Sequence, residues 1–284
     1  NNNITSNNSG SDVLFNSSNI TLNAPITSSG TSTVTINSSG NVIDGINGSF
    51  VGKIISTNLL LTGNGNFYLD STTNNVSIIS AGSNASRLGS LNFTNSNALV
   101  VGSVGSNSGI YTIGTIAIST LTGDLTVSQN INTQNTSTTA LILNASQSTA
   151  AGVSSGGDLK FSGGPSITIG ANARAKLYSG SISGSTGLTT ITGSGSNRFR
   201  YNSDESNSNY SLSLGTGIHA IYRERPSLTI VADDKTVTYG TAPTLTTTVN
   251  GLQNGDTAAQ TLSTVASIAA VSYTHLTLPT ILPV

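Results

Sequence analysis

The sequence predicts an all-β chain, a parallel β-solenoid followed by a partial β-sandwich module, and three observations carry that prediction. Short segments recur in which alternate residues are apolar. Turns of Gly, Ser and Asn separate them at irregular lengths. No segment holds a 3.6-residue apolar period over the length of a helix.

The strand segments run, in order, Asp12–Phe15, Asn19–Leu22, Thr33–Asn37, Asn66–Leu69, Val76–Ile79, Asp124–Val127, Ser166–Ile169 and Tyr210–Leu214. Between their apolar positions stand Thr, Ser and Asn, the pattern of strands with one face buried and one wet. Such strands need a shared core, which an antiparallel sandwich or a solenoid can supply. Hairpins favour two-residue Asn-Gly or Asp-Gly turns. Here the connections are Ser-Ser-Gly, Gly-Ser-Asn and Gly-Ser-Gly stretches of varying length, so a solenoid with coils of roughly 20–30 residues is favoured. Asn and Ser of successive coils are expected to hydrogen-bond along the stack, and Gly to supply positive φ at the corners.

Composition excludes several function classes. Charged residues make up 7% of the chain, against ~25% in ordinary globular proteins. The net charge of −1 and the abundance of Ile, Val and Thr argue for β structure rather than disorder. Ten scattered Lys and Arg give no basic patch for nucleic acid or an anionic membrane. The absence of Cys removes disulfide and thiolate chemistry. No apolar run reaches the ~18–20 residues of a membrane-spanning helix, so no membrane insertion is expected. A start at Asn1 with no Met reads as a fragment.

At Ala220–Pro226 charged residues and a proline follow a long uncharged region, which places a domain boundary after Tyr222. Residues 1–222 form the solenoid. Residues 223–270 form a partial sandwich with strands expected at Ser227–Ala232, Lys235–Gly240 and Thr244–Val249. A complete sandwich takes about seven strands. Residues 271–284 break the pattern.

The segment Arg225–Leu245, with its Lys235-x-x-x-Tyr239-Gly240-x-x-Pro243-x-Leu245 core and Asn250-Gly251-Leu252 and Gly255-Asp256 behind it, closely resembles the MBG modules, immunoglobulin-like repeats of large bacterial surface adhesins. Upstream, Gly156–Phe161 and Gly123–Val127 resemble the stalks of filamentous-haemagglutinin-type adhesins. These resemblances imply a right-handed parallel β-helix, type V-like export through an outer-membrane secretion partner, and a place at the bacterial cell surface. They also imply roles in adhesion and biofilm, with host-cell or matrix glycans and proteins or biofilm components as partners. The stretch from Val271 to Val284 resembles a translated sequencing adapter, and it is set aside as a non-native tail, His275 included.

The enzymatic alternative is a polysaccharide lyase or hydrolase, because a β-helix can carry two or three carboxylates on neighbouring coils. Asp12, Asp44, Asp70, Asp124 and Asp158 are isolated, and each is read as a turn residue bonding local backbone amides. The densest polar cluster is Arg198, Arg200, Tyr201, Asp204 and Glu205, with His219 further on; its first five members are the candidates for glycan contact. Adjacent carboxylates on a strand point to opposite faces, and the flanking Ser and Asn residues read as a solvated loop. A lone His219 cannot form a zinc site. No EF-hand spacing, calcium-binding glycine repeat or phosphate-binding loop occurs, so no metal or cofactor is expected. The expected function is structural and adhesive, without catalysis.

Overall fold

The computed structural model describes residues 4–6, 12–44, 52–195, 197–238, 240–262 and 268–269. The chain divides into two compact units, Asn1–Pro226 and Ser227–Val284. The adapter-like segment 271–284 lies outside the described residues, as does Tyr239.

The first unit is the parallel β-solenoid that the alternating pattern predicts. Among its described residues two long sheets run along the stack, one of twelve strands and one of nine. In the nine-stranded sheet the order follows the sequence from Ile20–Thr21 through Asn41–Ile43, Asn66–Leu69, Leu91–Asn95, Ile116–Thr120, Leu141–Asn144 and Arg174–Ser179 to Gly217–Tyr222. Phe199–Arg200 flanks the last of these. Every pairing in this sheet is parallel.

The inward residues form columns, because the pairing brings like positions together. Val42, Phe67, Leu91, Ile116, Leu141 and Ala175 make one column. In the twelve-stranded sheet Val34, Leu59, Ile79, Val101, Val127 and Phe161 make another. All are buried. Leu91, Ile116 and Leu141 sit at intervals of 25 residues, one coil each.

Polar side chains join the coils as expected. On the outside, Asn37 Nδ2 donates to Asn16 Oδ1 (3.1 Å) and Thr62 Oγ1 to Asn37 Oδ1 (3.2 Å). At a corner Asn66 Nδ2 donates to Asn41 Oδ1 (3.2 Å), and Asn66 Oδ1 accepts from the Ser90 amide (2.9 Å). Inside another corner, Asn74 Oδ1 accepts from the Ile54 amide (2.7 Å) while its Nδ2 donates to Asp44 Oδ2 (2.7 Å). Asn95 repeats the device one coil on, accepting from the Val76 amide (2.8 Å) and donating to Asn97 and Ala98 carbonyls.

The aspartates differ from the expectation of local turn bonding. Asp12 accepts from the Thr33 amide, Asp124 from the Asp158 amide, Asp158 from the Ser181 amide, and Asp44 from the Ser71 amide. Each partner lies one coil further along. The stack brings that amide closer than the aspartate's own turn does.

Glycine serves the corners in two ways: Gly30, Gly82 and Gly123 hold the expected positive φ (68°, 64° and 76°), and a second set allows close approach. Gly65 donates to the Ser38 carbonyl, Gly89 to Gly65 and Gly114 to Gly89, so the backbones of successive coils nearly touch. A Cβ on Gly65 would lie 2.0 Å from the Gly40 carbonyl oxygen. Close approach, and not positive φ, requires glycine in this column.

Two strand expectations change. Tyr210–Leu214 is not a strand: the Leu212 and Leu214 carbonyls accept from the Arg200 and Arg174 guanidinium groups, which leaves no ladder for them to join. The unit boundary falls after Pro226 rather than Tyr222, because the Arg223 and Glu224 amides continue the ladder onto Ser179 and Gly180 carbonyls (2.9 and 3.0 Å).

In the second unit Thr229–Ala232 pairs antiparallel with Thr247–Asn250. The expected strand at Lys235–Gly240 is absent among its described residues. Asp233 binds this pair together: its carboxylate accepts from the Thr246 and Thr248 hydroxyls.

Gly65→Ala is expected to destabilise the first unit by about 1–3 kcal/mol through forced displacement of the neighbouring coil. Gly215→Ala, where a Cβ meets nothing within 4 Å, should leave the urea midpoint within error. Asp44 is fully buried, and burial pushes its pKa up to about 6 against the opposing hydrogen bonds from Asn74 and Ser71. Its folded-state pKa is raised, so its contribution is full below pH 3.8 and is lost as pH rises through about 6. Asp44→Asn should therefore gain stability over the parent between pH 4 and 6.5, by on the order of 2–3 kcal/mol, in paired denaturation curves.

Candidate functional site

The outer face of the nine-stranded sheet carries a groove of about 430 Å³. Its residues come from successive coils at equivalent positions. Asp70 and Thr72 follow the strand Asn66–Leu69, and Asn92 and Thr94 come from the next coil. Ala117 and Ser119 pair with Asn92 and Thr94, and Ile142 and Asn144 pair with these in turn. Gln147, Ser148 and Glu205 close the far end.

The far end is held by Arg223, which is fully buried. Its Nε donates to the Thr149 carbonyl (2.8 Å), one terminal nitrogen to the Ala145 carbonyl (2.7 Å), and the other to Asn144 Oδ1 and to Glu205 Oε2 (3.3 Å). Glu205 Oε1 accepts from the Ser148 amide, tying the two loops together. Burial lowers the Arg223 pKa, opposed by the charge of Glu205. The sequence places Arg223 at a domain boundary, yet it organises the last coil of the first unit.

The five residues singled out from the sequence take different places. Glu205 lines the groove. Asp204 is buried beside it and holds the loop, accepting from the Ala151 amide (2.7 Å) and from the Ser206 and Asn207 amides. Burial raises its pKa, but those amides outweigh it and the net shift is downward. The solvated-loop reading therefore fits Glu205 and not Asp204. Arg200 is buried, donating to the Asn197 and Phe199 carbonyls and lying 5.4 Å from the Tyr210 ring centroid. Tyr201 stacks on Tyr222 at 5.8 Å. Arg198 donates to the Thr216 carbonyl (3.2 Å). His219 is buried with Nε2 3.2 Å from the Gly215 carbonyl oxygen; burial, then the positive charge of Arg198, lowers its pKa.

Sequence reasoning thus finds one groove residue directly and misses the rest. The missing signal is register: Asn92, Ala117 and Ile142 stand one coil apart, and only the pairing makes them neighbours. Among the described residues no group of three His, Asp or Glu side chains is placed to hold a metal ion. Among them also no helix is long and apolar enough to cross a membrane.

Residues 228–277 match the MBG domain (YGX type). The match agrees with the motif around Lys235 and Gly240 and extends past residue 271, where the repeat pattern breaks. No curated protein and no solved structure matches the chain.

Arg223→Ala should destabilise the first unit by about 3–5 kcal/mol, because it leaves Glu205 and buried carbonyls without their donor. Arg198→Ala, at an exposed bond, should fall within about 0.5 kcal/mol of the parent. Thermal denaturation of the two variants side by side checks both.

Proposed function

We propose that this chain is part of a secreted bacterial surface adhesin, in which a filamentous-haemagglutinin-like solenoid acts as an uncharged stalk and binding surface and an MBG module follows it. The observation that carries the reading is the MBG match directly downstream of a parallel β-solenoid. The solenoid's outer face is a lattice of Asn, Ser and Thr, suited to hydrogen-bonding host-cell or matrix glycans and proteins or biofilm components. Export by a type V-like route through an outer-membrane partner belongs to the same reading.

A non-catalytic role is favoured over polysaccharide cleavage by the spacing of the acids. Asp70 stands at one end of the groove and Glu205 at the other, beside Asn144. Three strand spacings of ~4.8 Å separate the backbone level of Asp70 from that of Asn144, or roughly 14 Å. Paired carboxylates of glycoside hydrolases stand about 5–9.5 Å apart. Glu205 is moreover already committed to Arg223 and the Ser148 amide.

Surfaces coated with matrix glycoprotein or biofilm polysaccharide should retain the purified chain. Incubation with pectin, alginate or host glycans should release neither reducing ends nor unsaturated products. Release of such products, abolished by Glu205→Gln, would replace the adhesive reading with an enzymatic one.

A further inference from the structure

We propose that the groove on the outer face of the nine-stranded sheet binds a neutral glycan chain laid along the solenoid axis. The proposal rests on the adhesive reading and deepens it, replacing contacts dispersed over the stalk with one defined site.

Four observations converge on this ligand class. First, the groove offers hydrogen-bonding groups that the protein itself leaves unused: the side chains of Thr72, Ser119 and Gln147 make no hydrogen bond among the described residues. Amides and hydroxyls of this kind both donate and accept, which suits a ligand whose own groups are hydroxyls. Second, the floor between them is apolar, formed by Ala117, Leu121 and Ile142. Sugar rings present C–H faces as well as hydroxyls, so an alternating polar and apolar floor matches them better than it matches a polar ion.

Third, Tyr68 stands beside Asn92 in the ladder and is 41% exposed. It is not itself a lining residue, but an exposed aromatic ring one coil from the lining residue Asn92 gives a flat surface on which a chain leaving the groove can stack. Most other large side chains of this sheet are buried in the columns or in the loops behind the groove. Fourth, the charge is wrong for an acidic chain. The only charged lining residues are Asp70 and Glu205, with no Lys or Arg among them. Lys176 lies one strand further on, paired with Ile142, and Arg223 is buried behind Asn144. Sulfated and uronate polysaccharides would meet two carboxylates in the lining itself, and the half-buried Lys176 just outside it offsets only one of them.

The direction follows from the register. Each coil contributes one outward pair, Asn92 and Thr94, then Ala117 and Ser119, then Ile142 and Asn144. Groups repeat every ~4.8 Å along the stack. A ligand using several of them must be extended and lie along the axis, which favours a linear chain of several rings over a single sugar.

The test uses the full 284-residue chain. Affinity electrophoresis is run in mannan, in β-1,3-glucan and with N-acetylglucosamine oligosaccharides, with heparin and alginate as acidic controls. At least one neutral glycan is expected to retard the chain, and neither acidic polymer should. Tyr68→Ala and Gln147→Ala should each weaken that retardation at least tenfold with unchanged circular dichroism, since both side chains are external to the core. Undiminished retardation in both variants, or stronger binding to heparin or alginate, overturns the proposal. Retention on matrix-coated surfaces with no response to any neutral glycan also overturns it, while the adhesive reading stands. Groove binding without adhesion to any surface supports the groove and removes the adhesive reading instead.

Discussion

A single coil of this solenoid has no core and no completed backbone hydrogen bonding; both come from the coils on either side. Leu91 is covered by Phe67 and Ile116, and its amide donates to the Thr115 carbonyl of the following coil. Burial of each such side chain stabilises by about 1.5–3 kcal/mol, but only while its neighbours in the column remain in place. The corners meet the same condition through buried polar groups. Asn74 and Asn95 sit where the chain leaves one sheet, and each satisfies backbone atoms that the ladders cannot reach. Correct register is therefore what every other feature of the first unit depends on.

The scarcity of charge follows from that constraint. A side chain at a given coil position stands over its equivalent at ~4.8 Å, and like charges at that distance repel. Asn, Ser and Thr stack without that cost and hydrogen-bond instead, as Asn16, Asn37 and Thr62 do. Some charges that do enter the stack are met by an amide of the next coil, as Asp12 and Asp158 are, and Asp124 is met by the opposite charge of Lys160. Both side chains of that pair are more than a third exposed, so its contribution is small and screened by salt.

Much of this was legible in the sequence because strand alternation is local. Asn66–Leu69 is a strand with the bounds the pattern assigns. What was not legible depends on contacts between coils. Tyr210–Leu214 alternates as well as any strand, yet Arg174 and Arg200 take its carbonyls from far along the chain. Isolated aspartates look like turn residues until the stack supplies an amide from the next coil, as for Asp12 and Asp158. In the candidate site the density of charge around Asp204 was visible, but not the division of labour within it. Asp204 and Arg200 are pinned by backbone groups, and only Glu205 reaches the groove. The motif of the second unit was readable because its residues are close in sequence, from Lys235 to Leu245.

The groove owes its walls to a change in coil length. The interval is 25 residues from Leu91 to Ile116 and again to Leu141, but 34 from Leu141 to Ala175 and 43 from Ala175 to Ile218. Inward columns cannot absorb surplus residues without losing register, so the extra chain leaves the stack as loops, including 145–157 and 201–216. In stacked-repeat proteins such insertions collect on one face, often the binding face. Free loops would leave backbone groups unpaired against the coils beneath them, and Arg223 meets that need by bonding Ala145, Thr149 and Glu205 at once. A buried cation thus occurs where the regular stack gives way to loops. The regular coils supply a floor of repeating outward pairs, and the lengthened coils supply the wall that turns part of that floor into a groove.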